Sequence, residues 1–469
     1  MANIRKLGKN FGLLTIGNFA STLLRFLFVP LYTAVLSTQE YGQIDLVTVT
    51  ISLSFPILTL VISEAVMRFC LENGADSKQI FSIGIYVTGA GCLIMLILSG
   101  ILMYTPLRDY YWWFIFYFIV QSFYTTFAQY IKGQEKIKLY AIGGLLNTAT
   151  VILCNIVFLL IMKIGIYGYF LSMIMGHAAA IIFYFFSAKS WACLIPICQL
   201  DMNLLKAMLT YSCPMIPNSI SWWISDSSDK YILSYVCGVA ENGIYAIAYK
   251  IPSMLSIITG LFISAWQISA VESFNSDESG KLFSNVGSKY IALNVLIAAW
   301  LIGGSRLLAK FLYSGDYYTA WRISPVLIVA YIFSTLSSFY GTIYTSARKT
   351  KMLLYSTIVA AFINIGLNML LIPVLGGMGA AVATLISYCV VWVIRVIDSA
   401  KIINVMLPWS KFIFCFLLLI VEVVFLNINM WWTDLFCLLS ACVVTFLNVD
   451  VCKEMLSVIL GKMGTWRRK

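Results

Sequence analysis

From Phe11 to Leu447 the chain alternates long apolar stretches with short polar turns. Each stretch runs for about 17 to 25 residues, enough at ~1.5 Å per helical residue to cross a hydrocarbon layer of ~30 Å. That layer offers no water to backbone groups, so each stretch predicts an α-helix. About fourteen spans are expected: 11–35, 43–67, 80–104, 111–131, 139–162, 166–186, 208–233, 243–270, 287–312, 321–345, 353–373, 379–397, 409–427 and 431–449. They group as six, six and two. The expected fold is an all-α polytopic membrane protein of two pseudo-symmetric six-helix bundles followed by two C-terminal transmembrane helices. The division this implies is 1–186 for the first bundle, 187–206 for a linker, 207–400 for the second bundle, and 401–469 for the last helix pair and a basic tail.

An internal repeat supports the pairing of the first twelve spans. The turn "LSTQEYGQID" (Leu36 to Asp45) aligns with "CGVAENGIYA" (Cys237 to Ala246), placing Glu40 on Glu241 and Gly42 on Gly243 at an offset of 201. Further on, "GIYGYFLS" (Gly165 to Ser172) aligns with "GGMGAAVA" (Gly376 to Ala383), again two glycines on two glycines. Two like halves around a site near the membrane midplane are a common transporter plan.

Composition agrees: 61% of the 469 residues are hydrophobic and only 11% charged, too apolar for a soluble core. Orientation follows from Lys and Arg, which stay on the cytoplasmic side of short loops. With the N-terminus inside, cytoplasmic segments hold 22 of the 31 Lys and Arg residues, while external loops keep only Arg108 and Lys163. Both termini are therefore expected in the cytoplasm. The segment "SAKSWACLIPICQLDMNLLK" (Ser187 to Lys206) then has to return without crossing, and is expected to lie along the cytoplasmic surface.

The net charge of +11 is dispersed over many short loops instead of one basic face, so no nucleic-acid partner is expected. The run after Arg5, Lys6 and Lys9 is too long for a signal-peptide core and reads as a retained first span. Of the twelve cysteines, Cys92, Cys154, Cys389, Cys415, Cys437 and Cys442 fall inside apolar spans and behave as small hydrophobes. With one histidine and no zinc-type spacing, neither a metal site nor a cofactor is expected. No Gly-rich phosphate loop argues for an ATP-driven pump.

Ionisable groups inside a membrane are expensive and face a protein interior or a watery cavity. Span 1 places Asn18, Ser21, Thr22 and Arg25 on one stripe at i, i+3, i+4 and i+7. Span 2 carries Asp45, Thr48, Ser52, Thr59 and Ser63, with Glu64 and Arg68 one turn apart near its cytoplasmic end, as an internal ion pair or as site residues. Span 7 adds Asn218, Ser221, Ser225, Asp226, Asp229 and Lys230, and span 8 adds Lys250 and Gln267. A cavity lined by spans 1, 2, 7 and 8 follows. Asp229 and Lys230 stand near the outer interface, where snorkelling makes charge cheap, whereas Arg25 and Lys250 lie deeper with no partner within a turn of their own helix. His177 in span 6 belongs to a proton relay or bonds a neighbouring backbone. Glu64, Asp229 and His177 are the candidates for ion coupling.

Three segments carry a family resemblance: "PLYTAVLSTQEYGQIDL" (Pro30 to Leu46), "SDKYILSYVCGVAENGIYAIAYKI" (Ser228 to Ile251) and "NIGLNMLLIPVLGGMGAAVATLIS" (Asn364 to Ser387). They resemble the Wzx-type polysaccharide flippases of the multidrug/oligosaccharidyl-lipid/polysaccharide (MOP) exporter superfamily, over roughly residues 5 to 400. The resemblance implies a MATE/MOP-like, V-shaped pair of bundles opening alternately to either side of the cytoplasmic (inner) membrane. Its cargo would be an undecaprenyl-diphosphate-linked oligosaccharide repeat unit, moved to the outer leaflet for O-antigen, capsule or exopolysaccharide assembly. Such flippases line their cavity with cationic residues, which Arg25, Arg68 and Lys250 match by span and type; Asp45 follows Gly42 in the family's turn pattern. The chain departs by carrying acidic Asp226 where the repeat offset places the counterpart of Arg25.

A diphosphate suits Arg forks and Lys point charges, while the sugar asks for partners such as Asn18, Asn218 and Gln267. The implied partners are the lipid-linked oligosaccharide, membrane lipids, a polysaccharide polymerase and a chain-length regulator. No covalent bond changes, so a transporter is expected and not an enzyme. The alternatives are a cation-coupled multidrug exporter, for which Asp226, Asp229 and Glu64 would serve, and a flippase for lipid II.

Overall fold

The computed structural model describes residues 21–454 apart from 25, 73, 75, 106, 275–277, 348, 350 and 429–431. Among the described residues the chain is helical: α1 (Val29–Val35), α2 (Thr38–Leu58), α3 (Ile62–Cys70), α4 (Ser77–Leu98), α5 (Tyr111–Gly133), α6 (Ile137–Asn155), α7 (Gly165–Ser187), α8 (Met202–Ser212) and α9 (Met215–Cys237). There follow α10 (Val239–Ala248), α11 (Lys250–Ser273), α12 (Ser279–Gly303), α13 (Ser305–Leu312), α14 (Ser324–Ser346), α15 (Lys351–Leu375), α16 (Gly377–Ser399), α17 (Trp409–Ile428) and α18 (Thr433–Leu447).

Ten helical segments of the described chain are long and apolar enough to cross a membrane. Helices α5 and α9, 23 residues each, have the length with a more polar sequence, and Ser21–Val35 and Thr433–Leu447 are shorter apolar helices. These make up the fourteen expected spans. The chain divides into two compact units, residues 1–231 and 232–469, the boundary falling within α9.

In the first unit, α3, α4, α5, α7 and α8 share a core built on Ile62, Val66, Phe81, Phe127, Tyr130 and Tyr184. Hydrophobicity does not drive such helices together within lipid, so close packing over small residues has to. Gly143 illustrates it: a Cβ there would lie 2.3 Å from the Tyr184 ring, so only glycine lets α6 and α7 approach this closely. In the second unit α14 packs against α11, α12 and α16, and α18 closes on α12 and α17. Arg306 of α13 ties in the last pair, donating to Asp434 Oδ1 at 3.0 Å and to Thr433 Oγ1 at 3.2 Å, with its guanidinium 4.5 Å from the Trp321 ring centre.

One expected span is broken. Span 2 is α2 followed by α3, with Leu60 and Val61 between them at φ +53° and +52°. Pro56 lacks the N–H that would extend the α2 ladder, and the left-handed region is unfavourable for Leu and worse for β-branched Val. Gly91 of α4 accommodates this break, since a Cβ on it would stand 2.3 Å from the Leu58 carbonyl oxygen. Span 8 is α10 running on into α11 through Tyr249, whose backbone stays helical at φ −66° and ψ −17°, three residues before Pro252.

The segment 187–206 descends along the first turns of α4. Ser82 Oγ donates to the Cys193 carbonyl at 3.0 Å and accepts from Ile195 N at 2.9 Å, and the Tyr86 hydroxyl donates to the Ile195 carbonyl at 2.9 Å. Gln79 completes the strip with the Gln199 carbonyl and Asp201 N, each at 3.0 Å. Backbone groups outside a regular helix need such partners. Trp191, Leu194 and Ile197 are left exposed.

Candidate functional site

Asn18 and Arg25 lie outside the described residues. The other residues singled out from the sequence fall at three places.

The first joins α2 to α9 within the first unit. Lys230 Nζ and Asp45 Oδ1 form an ion pair at 2.8 Å, with side chains only 14% and 15% exposed. Asp229, fully buried, accepts at Oδ1 from Lys230 N at 2.9 Å. One to two turns along α2, Trp223 Nε1 donates to the Val49 carbonyl at 2.9 Å, and the Thr50 and Tyr231 hydroxyls bond each other. Val49 is otherwise a helix carbonyl; an indole N–H is a donor without acceptor capacity, so it fits an oxygen already serving the helix. A pair at this burial has lost much of its hydration, and its Coulomb attraction is correspondingly stronger than at a surface. Tyr41, one turn before Asp45, is buried beside it. Asp226 and Asn218, further along α9, are exposed. The charge of Asp45 was legible as an intramembrane group; its partner, 185 residues away, was not.

The second place is the other end of span 2. Arg68 pairs with Glu72 at 3.2 Å, both half exposed, instead of with Glu64. Glu64 accepts from Gln129 Nε2 of α5 at 2.7 Å. Arg68 follows Asp45 by 23 positions, about 35 Å were the span one straight helix, and lies beyond the break on α3 with Glu72 as its partner. His177 of α7 is buried, with Nδ1 2.7 Å from the Met173 carbonyl and its ring edge-on to Tyr124 at 4.8 Å.

The third is in the second unit. Lys250 is the first residue of α11, half-buried directly after Tyr249. Tyr249 is edge-on to Tyr245 at 5.0 Å and to Tyr331 at 6.0 Å, so the junction of α10 and α11 is lined by aromatic rings. Lys250 stands eleven residues beyond the α10 start, near the middle of the segment Val239–Ser264, and the carbonyls of Ile247 and Ala248 just before it accept from the Tyr313 and Ser324 hydroxyls at 3.2 and 2.9 Å. Gln267, further along α11, is exposed.

Ten apolar segments long enough to cross a membrane, two further helices of that length, one interrupted span and charged groups held inside such segments define, among the described residues, a multi-pass membrane fold. The chain belongs to the polysaccharide biosynthesis protein family, whose model matches residues 7–267, and its fold is that of the MOP superfamily. It is similar to the lipid II flippase MurJ in an inward closed conformation, at 14% identity and TM-score 0.71 over 95% of this chain and 99% of that one. It is similar also to an inward-facing multidrug resistance MATE family transporter (12% identity, TM-score 0.64, covering 83% and 94%). A MOP superfamily transporter from Pyrococcus furiosus, described as having a binding pocket of reverse polarity, matches at 12% identity and TM-score 0.60 over 84% and 95%. A comparison with curated proteins finds no match.

Proposed function

We propose that the protein is a flippase that carries an undecaprenyl-diphosphate-linked oligosaccharide repeat unit from the cytoplasmic to the outer leaflet of the cytoplasmic membrane. The observation that carries this reading is the conjunction of a polysaccharide-biosynthesis family match over residues 7–267 with a fold that follows a lipid flippase over 95% of the chain. Lys250, midway along the segment Val239–Ser264, and Arg25 are assigned to the diphosphate, and the exposed Asn218 and Gln267 to the sugar. The isoprenoid tail stays in lipid, so only the head group needs shelter.

Asp45 and Lys230 are assigned a structural part, their ion pair holding α2 to α9 within the first unit. With the cell interior negative, outward movement of two negative charges is favoured by roughly 4.6 kcal/mol at 100 mV. Coupling to an ion is therefore permitted by the energetics without being required.

The test is to delete the gene and identify what accumulates. A lipid-linked repeat unit held on the cytoplasmic side supports the reading, and restoration by the wild-type chain but not by Lys250→Ala or Arg25→Ala, at equal membrane levels, supports the site. Arg25→Lys should restore poorly, because an ammonium lacks the planar two-pronged donor set. Unchanged surface polysaccharide after deletion would overturn the cargo.

A further inference from the structure

The ends of α14, α15 and α16 enclose a cavity of about 720 Å³, within the size range of small-ligand sites. Lys349, Lys351 and Lys401 line it together with Tyr344, Tyr355 and Asp398. Three ammonium groups face one carboxylate, and Asp398 is already engaged by Lys401 Nζ at 3.2 Å. Two further sources of positive potential converge. Lys351 opens the 25-residue α15, so the positive end of that helix is at the cavity. One turn from Asp398, Arg395 is buried and donates only to neutral oxygens: Ser337 O at 2.8 Å, Ser356 Oγ at 3.0 Å and Thr357 Oγ1 at 3.2 Å. The wall residue Tyr344 donates to the Arg395 carbonyl at 3.3 Å.

Lysines that only set topology stay dispersed along their loops. Here three converge on one concavity, exposed to solvent yet sharing a single carboxylate, and the buried Arg395 guanidinium one turn from Asp398 adds to a positive field that suits an anion. The Lys and Arg pattern puts this end of the bundle at the cytoplasmic interface, level with lipid head groups, where basic pockets between spans take phosphorylated lipids. We propose that this cavity is a binding site for the phosphate of a membrane-lipid head group. Such a phosphate has two sources, an anionic glycerophospholipid of the inner leaflet or the diphosphate of an isoprenoid-linked cargo before it enters the transport path.

Native mass spectrometry of the full-length protein in detergent distinguishes them. Phosphatidylglycerol, a polyisoprenyl diphosphate and phosphate-free diacylglycerol are titrated onto the wild type, onto the triple variant Lys349→Gln, Lys351→Gln, Lys401→Gln, and onto Asp398→Asn. The triple variant should bind the phosphorylated lipids about 10-fold or more weakly and diacylglycerol unchanged; Asp398→Asn should bind them more tightly. Whichever phosphorylated lipid responds more strongly is the occupant. Equal affinity in wild type and triple variant overturns the proposal, as does unchanged or weaker binding by Asp398→Asn, which decides alone should the triple variant not fold. Binding measured this way needs no transport, so it stands or falls separately from the flippase reading.

Discussion

Glu241 Oε1 accepts a hydrogen bond from the backbone N–H of Gly377 at 3.2 Å, fastening the start of α10 to the start of α16. Its repeat mate Glu40 stands in the equivalent place in the first unit. There a Cβ on Gly165, the residue that opens α7, would lie 2.9 Å from Glu40 Oε1, while Glu40 Oε2 holds Ser37 N at 2.8 Å in a capping box. Gly165 and Gly376 are both left-handed, at φ +56° and +57°. The two sequence motifs that betrayed the repeat are thus the two ends of one contact, made twice.

That contact predicts the effect of Gly376→Ala. The left-handed backbone disfavours a Cβ by about 1–2 kcal/mol, and the new methyl group would stand 3.4 Å from Glu241 Oε1. A fall in the melting temperature of the purified protein is expected, and Glu241→Gln should lower it less, because an amide oxygen still accepts from Gly377 N. Equal, negligible effects of both changes would show that the fastening contributes little.

Much of this was legible in advance because membrane burial leaves strong signals. Apolar length fixes the spans, and the Glu40/Glu241 and Gly165/Gly376 pairs mark positions where helix-end geometry restricts residue choice. The break at Leu60–Val61 was not legible: a proline such as Pro56 is tolerated inside a span, as Pro252 is in α11, and what makes the break possible is Gly91, a residue on another helix. Nor were the partners of the charged groups. Glu64 and Arg68 are one turn apart and invite pairing, yet α5 brings Gln129 to Glu64 and leaves Arg68 to Glu72. Spacing along one helix says nothing of a neighbour supplied by tertiary packing.

The Asp45–Lys230 pair should show strong coupling. Its burial lies between that of exposed pairs, worth up to about 1 kcal/mol, and that of fully buried ones, where loss of one partner takes about 3–5 kcal/mol. Asp45→Asn and Lys230→Met are each expected to destabilise by about 2 kcal/mol, and the reversed pair Asp45→Lys with Lys230→Asp to recover most of it. Thermal unfolding across this mutant cycle measures the coupling, and strict additivity would mean that the two groups do not interact.

Topology gives a further expectation. Cysteine labelling from outside the cell should reach residues 236–242, and residues 133–137 and 347–351 should be reached only after the membrane is opened. Labelling of Lys349→Cys from outside would reverse the orientation and, with it, the assignment of the basic cavity to the inner leaflet.

Ser82 is both donor and acceptor to the descending segment, so Ser82→Ala removes two bonds to Cys193 and Ile195 at once. At about 0.5–1.5 kcal/mol for each hydrogen bond, the segment should detach locally without unfolding its unit. Hydrogen–deuterium exchange is expected to rise at Ile195 and nearby amides while α5 and α7 stay protected. Unchanged exchange there would mean that Trp191, Leu194 and Ile197 hold the segment in place by lipid contact alone.

The break in span 2 makes the sharpest demand on one side chain. At Leu58 the α2 carbonyls lose their helical partners, the chain passes through left-handed Leu60 and Val61, and α4 lies so close that Gly91 would bring a Cβ within 2.3 Å of Leu58 O and 2.8 Å of its carbonyl carbon. Backbone atoms cannot rotate away as a side chain can, so Gly91→Ala must push α4 from the break or force the break to close. The expected loss is about 1–3 kcal/mol, typical of overpacking, together with reduced transport, because the break lies between Asp45 on α2, the partner of Lys230, and Glu64 on α3. Gly89→Ala, two positions away where a Cβ meets nothing within 4 Å, is the control and should be neutral in both stability and transport. If Gly91→Ala behaves like Gly89→Ala, α4 does not press on the break and the interruption of span 2 is not held by it.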